Sequence, residues 1–166
     1  MVKYKLSPIS IILPLIFLEI EDIIKKQCKN YIIFRLPTMV GKTNNKNTFF
    51  NYFRNKIENK EVVEIYKNSY RYLLDVDDLT NILPFIIENN KYDNKIINVS
   101  FNNRMSVLDI INLCSKIMNV KLKINIINKG ECFNIDNSKF MIILNEINYK
   151  INEFRTSKLC NNCCGE

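Results

Sequence analysis

The stretch that decides the fold reads YIIFRLPTMVG, over residues 31–41. Its first six residues form an almost continuously apolar run, and Pro37 closes that run. A short apolar run bounded by turn residues is typical of a strand that is buried on both faces in a parallel sheet. We therefore expect residues 31–36 to be one strand of such a sheet.

The rest of the chain alternates between strand and helix patterns. Short apolar or alternating runs predict strands at 62–66, 70–76, 96–99 and 121–127. Amphipathic spacing predicts helices over 47–59, 77–87, 106–118 and 136–147. Asp77 or Asp78 is the expected cap of the second of these helices, and Ser106 with Asp109 resembles a capping box for the third. This alternation predicts an α/β fold.

The amino-acid composition excludes some kinds of catalytic and metal-binding site. The 166 residues include no histidine, which excludes Ser-His-Asp triads and any histidine-bound metal. The net charge is +7, from 24 lysines and arginines against 17 aspartates and glutamates. Because the lysines are scattered singly among asparagines, we interpret them as a solvated surface and expect no nucleic-acid partner.

The two termini carry patterns of their own. Residues 9–20 are the most apolar stretch, but they are shorter than the roughly 20 residues of a membrane-spanning helix. They resemble the core of a signal peptide, but no cleavage site follows them. We therefore expect a buried segment in a cytoplasmic protein that makes no membrane contact. Secretion is the alternative. Half of a zinc-binding pattern is formed by Cys160, Cys163 and Cys164. A zinc site needs four ligands, and the sequence has neither a second C-x-x-C pair nor a histidine. We therefore expect a flexible tail without a metal site.

Three segments form a more specific pattern. The first is FRLPTMVG (34–41), with Asn47 six residues after Gly41, and the second is YRYLLDVDDL (70–79). The third is INVS (97–100), followed by SVLDII (106–111) and DNSK (136–139). In this order they resemble the C-terminal half of the extended short-chain dehydrogenase/reductase family, the NAD-dependent nucleotide-sugar epimerases and dehydratases. The resemblance covers residues 29–150.

The resemblance implies roles for several residues. Asn47 would hydrogen-bond the diphosphate of a UDP- or dTDP-sugar, and Arg71 would pair with a phosphate through its planar guanidinium group. The backbone that follows Arg35, at Pro37 and Thr38, would pass close to the nicotinamide ring of the cofactor. Taken alone, Arg71 also fits an ordinary exposed strand arginine, and Arg35 fits a strand-end residue with its head group in solvent.

Several elements of the family pattern are altered or missing. Tyr4 and Ser7 match its catalytic Y-x-x-S-K motif, but Pro8 stands where the lysine belongs. The chain has three glycines and cannot contain the G-x-x-G-x-x-G loop that holds the dinucleotide. The family's distal phosphate-binding arginine is reduced to the segment KGE, residues 129–131. The resemblance thus implies NAD(P) as the family's cofactor, and we expect this chain not to bind it alone.

These features predict three regions and an incomplete enzyme. Residues 1–28 form an apolar and amphipathic helical segment, 29–155 the epimerase/dehydratase part, and 156–166 the cysteine-rich tail. The expected fold is a partial Rossmann-like parallel sheet with the family's small substrate-binding subdomain. We expect a truncated or split product that is inactive alone. Either it pairs with a separate chain that carries the nucleotide-binding half, or it is a decayed remnant of marginal stability. The alternatives are a non-catalytic nucleotide-sugar binding or interaction module, and a small basic protein unrelated to the family.

Overall fold

Seven strands and five helices alternate along residues 8–150, the part of the chain that the computed structural model describes. The helices are α1 (Pro8–Gln27), α2 (Phe49–Glu58), α3 (Val76–Glu88), α4 (Val107–Met118) and α5 (Ser138–Glu146). The strands are β1 (Ile32–Arg35), β2 (Thr38–Val40), β3 (Val62–Tyr66), β4 (Tyr70–Asp75), β5 (Lys95–Asn98), β6 (Arg104–Ser106) and β7 (Lys123–Ile127). A 3-10 helix, Asn90–Tyr92, precedes β5. The predicted tail, 156–166, lies outside the described residues.

The strands form three small sheets, and most of their pairs are parallel. β1 pairs with β5, with Phe34 opposite Ile97, so the predicted strands at 31–36 and 96–99 are neighbours in one parallel layer. β3 pairs in parallel with β7. β4 lies between β2, which runs parallel to it, and β6, which runs antiparallel. The predicted α/β class with parallel strands is confirmed.

β4 separates two apolar cores. Successive side chains of a strand point to opposite faces, and here both faces are covered. Leu73 packs into a cluster formed mainly by α2, β3 and α4, whereas Leu74 packs into a second cluster formed by α3, β5 and α5. Both leucines are fully buried. The strand that carries Arg71 is thus anchored on both faces.

Helix starts follow the capping chemistry of the sequence, with one correction. Ser106 is the N-cap of α4, and its Oγ accepts a hydrogen bond from the Asp109 amide at 3.0 Å, as predicted. The prediction of Asp77 or Asp78 as the cap of α3 is wrong. The cap is Asp75, whose Oδ1 accepts from the Asp77 amide at 3.0 Å. The helix begins earlier because the strand ends at Asp75 in the extended conformation that an N-cap requires.

The prediction of a buried segment at 9–20 is wrong for its described side chains. Residues 14–20 are all exposed, and Glu21 is the one buried side chain of α1 among residues 14–27. The prediction that 31–36 is buried on both faces is also wrong, because β1 is half-buried and its last residue, Arg35, is exposed. A sheet of two strands offers too little surface to cover either element.

Two further features concern the described residues. None of the helices within residues 8–150 has the length and apolar character needed to cross a membrane. The same part of the chain holds no group of three or more acidic or cysteine side chains placed to bind a metal ion.

Candidate functional site

A cleft of about 380 Å³ lies where α2, β3, β4 and the start of α4 meet. It combines one arginine, one carboxylate, two small polar side chains and several aromatic rings. Its lining residues are Asn47, Phe49, Tyr52, Phe53, Glu64, Ile65, Tyr66, Ser69, Arg71 and Val107. The structure therefore brings together the two residues that were predicted to bind substrate, although they lie on different elements.

Arg71 is held in place from two directions. It is the second residue of β4, opposite Met105 of β6, and its Nη1 donates a hydrogen bond to the Tyr70 carbonyl oxygen at 2.9 Å. Its Cζ lies 5.7 Å from the centre of the Phe49 ring, within the range of a cation–π contact. No carboxylate within residues 8–150 forms an ion pair with this guanidinium group. Its planar fork can therefore serve an anion in the cleft.

Asn47 lies in a loop that is fastened to α2. Its backbone amide donates a hydrogen bond to Asn45 Oδ1 at 3.0 Å. The side chain of Asn51, one turn into α2, donates to the carbonyl oxygens of Thr43 and Asn45 at 3.0 and 2.9 Å. Thr48 then caps the helix by accepting from the Asn51 amide. These bonds fix the loop, so Asn47 stands at the cleft in a defined position.

The aromatic part of the cleft was not predicted. Phe49 and Phe53 belong to the apolar stripe that predicted α2, so the sequence assigned them to the core. Tyr52 and Tyr66 are 50% and 47% exposed at the cleft. Tyr52 lies off the apolar stripe of its helix, and an aromatic residue on a polar helix face is the signal that could have identified it.

Arg35, Pro37 and Thr38 lie away from this cleft, at the end of β1 and the start of β2. The Nε and Nη2 of Arg35 donate to the two carboxylate oxygens of Glu21, at 2.7 and 2.6 Å. These hydrogen bonds hold the pKa of Glu21 below its usual 4.5, against the opposing effect of its burial. Arg35 thus ties α1 to β1, and the role of the Pro37–Thr38 backbone at a nicotinamide ring stays a prediction.

The catalytic candidates Tyr4 and Ser7 lie outside the described residues, and Pro8 is the first residue of α1. Within residues 8–150, the turns between strands and helices do not fit the pyrophosphate of NAD. Such a turn needs clustered glycines that let the backbone approach the phosphates, but the two glycines of this region are isolated. Gly41 follows β2, and Gly130 lies after β7.

Gly130 allows two backbone segments to approach each other closely. Its φ of +102° lies in the region that favours glycine, and an added Cβ would meet the Asn68 carbonyl carbon at 3.0 Å. The Asn68 amide also donates to the Lys129 carbonyl oxygen at 3.1 Å. Lys129 and Gly130 are therefore packed against the turn between β3 and β4, beside Ser69 of the cleft.

The family-like motifs of the third segment also meet in space. The side chain of Asn98, at the end of β5, donates to the Asp136 carbonyl oxygen at 2.7 Å. Asn137 donates through Nδ2 to the Ser100 carbonyl oxygen, also at 2.7 Å. INVS and DNSK are thus joined directly, which fixes the start of α5 against the carboxyl end of β5.

The sequence matches no protein-family model, and no curated protein matches it. Solved structures do match. A variant of UDP-glucuronic acid 4-epimerase from Bacillus cereus, in complex with UDP-4-deoxy-4-fluoro-glucuronic acid and NAD, has a TM-score of 0.72 and 19% identity, over 99% of this chain and 54% of that one. dTDP-glucose 4,6-dehydratase from Bacillus anthracis, in complex with NAD, has a TM-score of 0.68 and 13% identity, over 95% and 52%.

UDP-glucose 4-epimerase from Thermotoga maritima, with UDP-glucose, has a TM-score of 0.67 and 16% identity, over 98% of this chain and 54% of that one. At such identities the likeness shows the fold. This chain spans about half the length of the solved enzymes that it matches. It therefore has the partial Rossmann-like α/β fold of these nucleotide-sugar epimerases and dehydratases, as its sequence predicted.

Proposed function

We propose that this chain is the nucleotide-sugar-binding part of an NAD-dependent epimerase or dehydratase. The observation that carries the proposal is the shared cleft of Asn47 and Arg71. The sequence resemblance selected both residues as diphosphate ligands. Solved structures of the same fold contain UDP-sugars or NAD.

The chemistry of the cleft suits a nucleoside diphosphate. A guanidinium fork pairs with phosphate oxygens through parallel charge-assisted hydrogen bonds. The side-chain amide of Asn47 adds a neutral donor. The exposed rings of Tyr52 and Tyr66 offer apolar faces to a base or a sugar. Glu64, at the same cleft, can accept hydrogen bonds from sugar hydroxyls.

The catalytic and redox steps are proposed to need residues that this chain lacks. In the family, a lysine lowers the pKa of the catalytic tyrosine and holds the nicotinamide ribose, and Pro8 supplies neither a charge nor a side-chain donor. The three glycines of the chain do not form a dinucleotide loop. We therefore propose that residues 1–166 bind a UDP- or dTDP-sugar but by themselves neither bind NAD(P) nor turn over, and that these steps need a nucleotide-binding half outside these residues.

Calorimetric titration tests the binding site. UDP-glucuronic acid, UDP-glucose and dTDP-glucose are titrated into the wild type, Arg71→Ala, Arg71→Lys and Asn47→Ala. We expect Arg71→Ala to weaken binding about tenfold or more, because a charge-assisted hydrogen bond contributes about 1.5–3 kcal/mol. Arg71→Lys should retain part of the affinity, since it keeps the charge without the fork, and Asn47→Ala should lose about fivefold.

The matched control is Arg54→Ala. It removes the same charge from the exposed side of α2, where Arg54 pairs with Glu58, and should leave the dissociation constant unchanged. Absence of sugar-nucleotide binding by a cooperatively melting wild type would refute the proposal and favour an unrelated basic protein. A tight complex of this chain alone with NAD would refute the inactive-alone part and leave the binding site intact.

A further inference from the structure

A groove of about 400 Å³ runs between α5 and β5, beside the 3-10 helix. Three lysines, three isoleucines, one tyrosine and one glutamate line it. It lies against the core that contains Leu74, and it shares no residue with the cleft of Arg71. Small-molecule sites in proteins have volumes of this order. The groove can therefore hold a small ligand without involving the proposed sugar-nucleotide site.

The floor of the groove is apolar and rigid. Ile97 and Ile143 are fully buried members of the core around Leu74, yet both line the groove. Ile142, one residue along α5, is 57% exposed at its rim. Because the floor is part of a packed core, its shape is set before any ligand binds. It favours the hydrocarbon part of a ligand over water.

Two of the lysines that line the groove are held by hydrogen bonds. The ammonium group of Lys91 donates to Glu146 and lies 5.0 Å from the centre of the Tyr92 ring. The Tyr92 hydroxyl donates to the same carboxylate. Lys139, in the first turn of α5, donates through Nζ to the Ile96 carbonyl oxygen of β5 at 3.4 Å. These contacts direct both ammonium groups along the groove.

The groove carries an excess of positive charge. Glu146 is the one carboxylate that lines it, and this group already pairs with Lys91. Lys95 and Lys139 form no ion pair with a carboxylate in the part of the chain from residue 8 to residue 150. Neighbouring like charges repel each other, and an anion bound among them replaces that repulsion with attraction. The groove therefore favours an anion over a neutral or cationic ligand.

We propose that this groove binds an amphiphilic anion, in which an acidic head group is joined to a short apolar body. The head group pairs with Lys95 and Lys139, and the apolar body lies over Ile97, Ile142 and Ile143. Carboxylate and phosphate head groups share this chemistry, and the experiment below distinguishes them. The inference does not depend on the proposed function, since the two cavities have no residue in common.

NMR titration of the full chain, with 13C-labelled isoleucine methyl groups, tests this inference. The probes are octanoate, octyl phosphate, octylammonium and inorganic phosphate. We expect at least one octyl anion to shift the methyl resonances of Ile97, Ile142 and Ile143 to saturation, and the one that binds more tightly identifies the head group. Octylammonium and inorganic phosphate should leave these resonances in place. Shortening the chain of that anion by two methylene groups should weaken binding about tenfold, because each buried methylene group contributes up to about fourfold.

Substitutions in the groove test the two parts of the ligand. Lys95→Gln and Lys139→Gln should each weaken binding of the octyl anion about threefold, since each removes one exposed charge. Ile142→Ser should also weaken it, because the rim loses its apolar side chain. The matched control is Lys123→Gln, which removes an exposed lysine from β7 and should leave the affinity unchanged. All four variants should bind the UDP-sugar as the wild type does.

Three results would each overturn the inference. The first is binding of octylammonium as tight as that of both octyl anions. The second is a set of shifts that do not saturate, or that fall on isoleucines outside the groove. The third is a change of the groove resonances with protein concentration in the absence of a probe, which would show a second copy of the chain in the groove. Loss of UDP-sugar binding in Arg71→Ala, with the octyl anion still bound, would leave both sites standing as separate.

Discussion

The guanidinium group of Arg71 lies over the ring of Phe49, with 5.7 Å between Cζ and the ring centre. Phe49 is the first residue of α2, and its ring also makes edge contacts with the rings of Phe50 and Phe53. The helix that forms one wall of the cleft thus positions the charged group of the opposite wall. A ligand that binds Arg71 finds its geometry already set, which reduces the entropy lost on binding.

We predict that Phe49→Leu weakens binding of UDP-sugars about threefold. Leucine keeps the apolar contact with the core but removes the ring face, and an exposed cation–π contact contributes about 0.5–1 kcal/mol. Calorimetric dissociation constants measure the effect. The control is Phe133→Leu, which removes a ring that is 52% exposed and contacts Tyr72 outside the cleft. Equal affinities of the Phe49→Leu variant and the wild type would show that the ring does not position Arg71.

The start of α3 gives a second prediction. Asp75→Ala should lower the free energy of unfolding by about 1 kcal/mol, because it removes the side chain that accepts from the Asp77 amide. Asp77→Ala should cost less, since that carboxylate contributes only through its favourable position in the first helical turn. Urea unfolding of the three proteins measures both values. A larger loss for Asp77→Ala would contradict the assignment of Asp75 as the cap.

The same helix shows how far the sequence could predict local structure. Three aspartates in four residues, Asp75, Asp77 and Asp78, can each cap a helix, and the choice depends on where β4 stops pairing. That end point is set by β2, which pairs with the last residues of β4. β2 and β6 have three residues each, too few for a periodic pattern to predict them. Longer elements with clear periodicity, such as α4, were predicted with their caps.

Leu73 and Leu74 give a third prediction, because they are neighbours in β4 that fill different cores. Leu73→Ala and Leu74→Ala should each cost about 2–5 kcal/mol, as truncation of a buried leucine leaves a cavity. Because β4 belongs to both cores, each variant should still unfold in one transition at a lower midpoint. Circular dichroism at two wavelengths and calorimetry test this. Two separated transitions in either variant would show that the cores fold independently.

The candidate site was predictable where motifs named its residues. Asn47 and Arg71 came from the order of three segments, and the structure places both at one cleft. Tyr66 belongs to no such motif. An aromatic residue at the end of an alternating strand can lie on either face of the sheet, so the sequence did not place Tyr66 at the cleft. The exposure of residues 14–20 of α1 was not predictable, because an apolar run of twelve residues is typical of a buried segment.

The ion pair between Glu21 and Arg35 gives the last prediction. Hydrogen bonds from Arg35 hold the pKa of Glu21 below 4.5 in the folded protein. A carboxylate whose pKa is lowered on folding adds stability above its unfolded pKa, and that stability is lost as the pH falls through the lowered value. Arg35 is 45% exposed, so solvent screening limits the contribution to about 1 kcal/mol.

Glu21→Gln should therefore lower the melting temperature by about 3 °C at pH 7, and the difference from wild type should shrink steadily as the pH falls below 4.5. Melting curves at several pH values between about 2.5 and 7, below and above the ordinary pKa of a glutamate, measure it. The matched control is Glu58→Gln, which breaks an exposed pair with Arg54 and should change the melting temperature little at any pH. A gap between Glu21→Gln and wild type that persists undiminished at the lowest pH would show that Glu21 stabilises α1 through packing rather than through its charge.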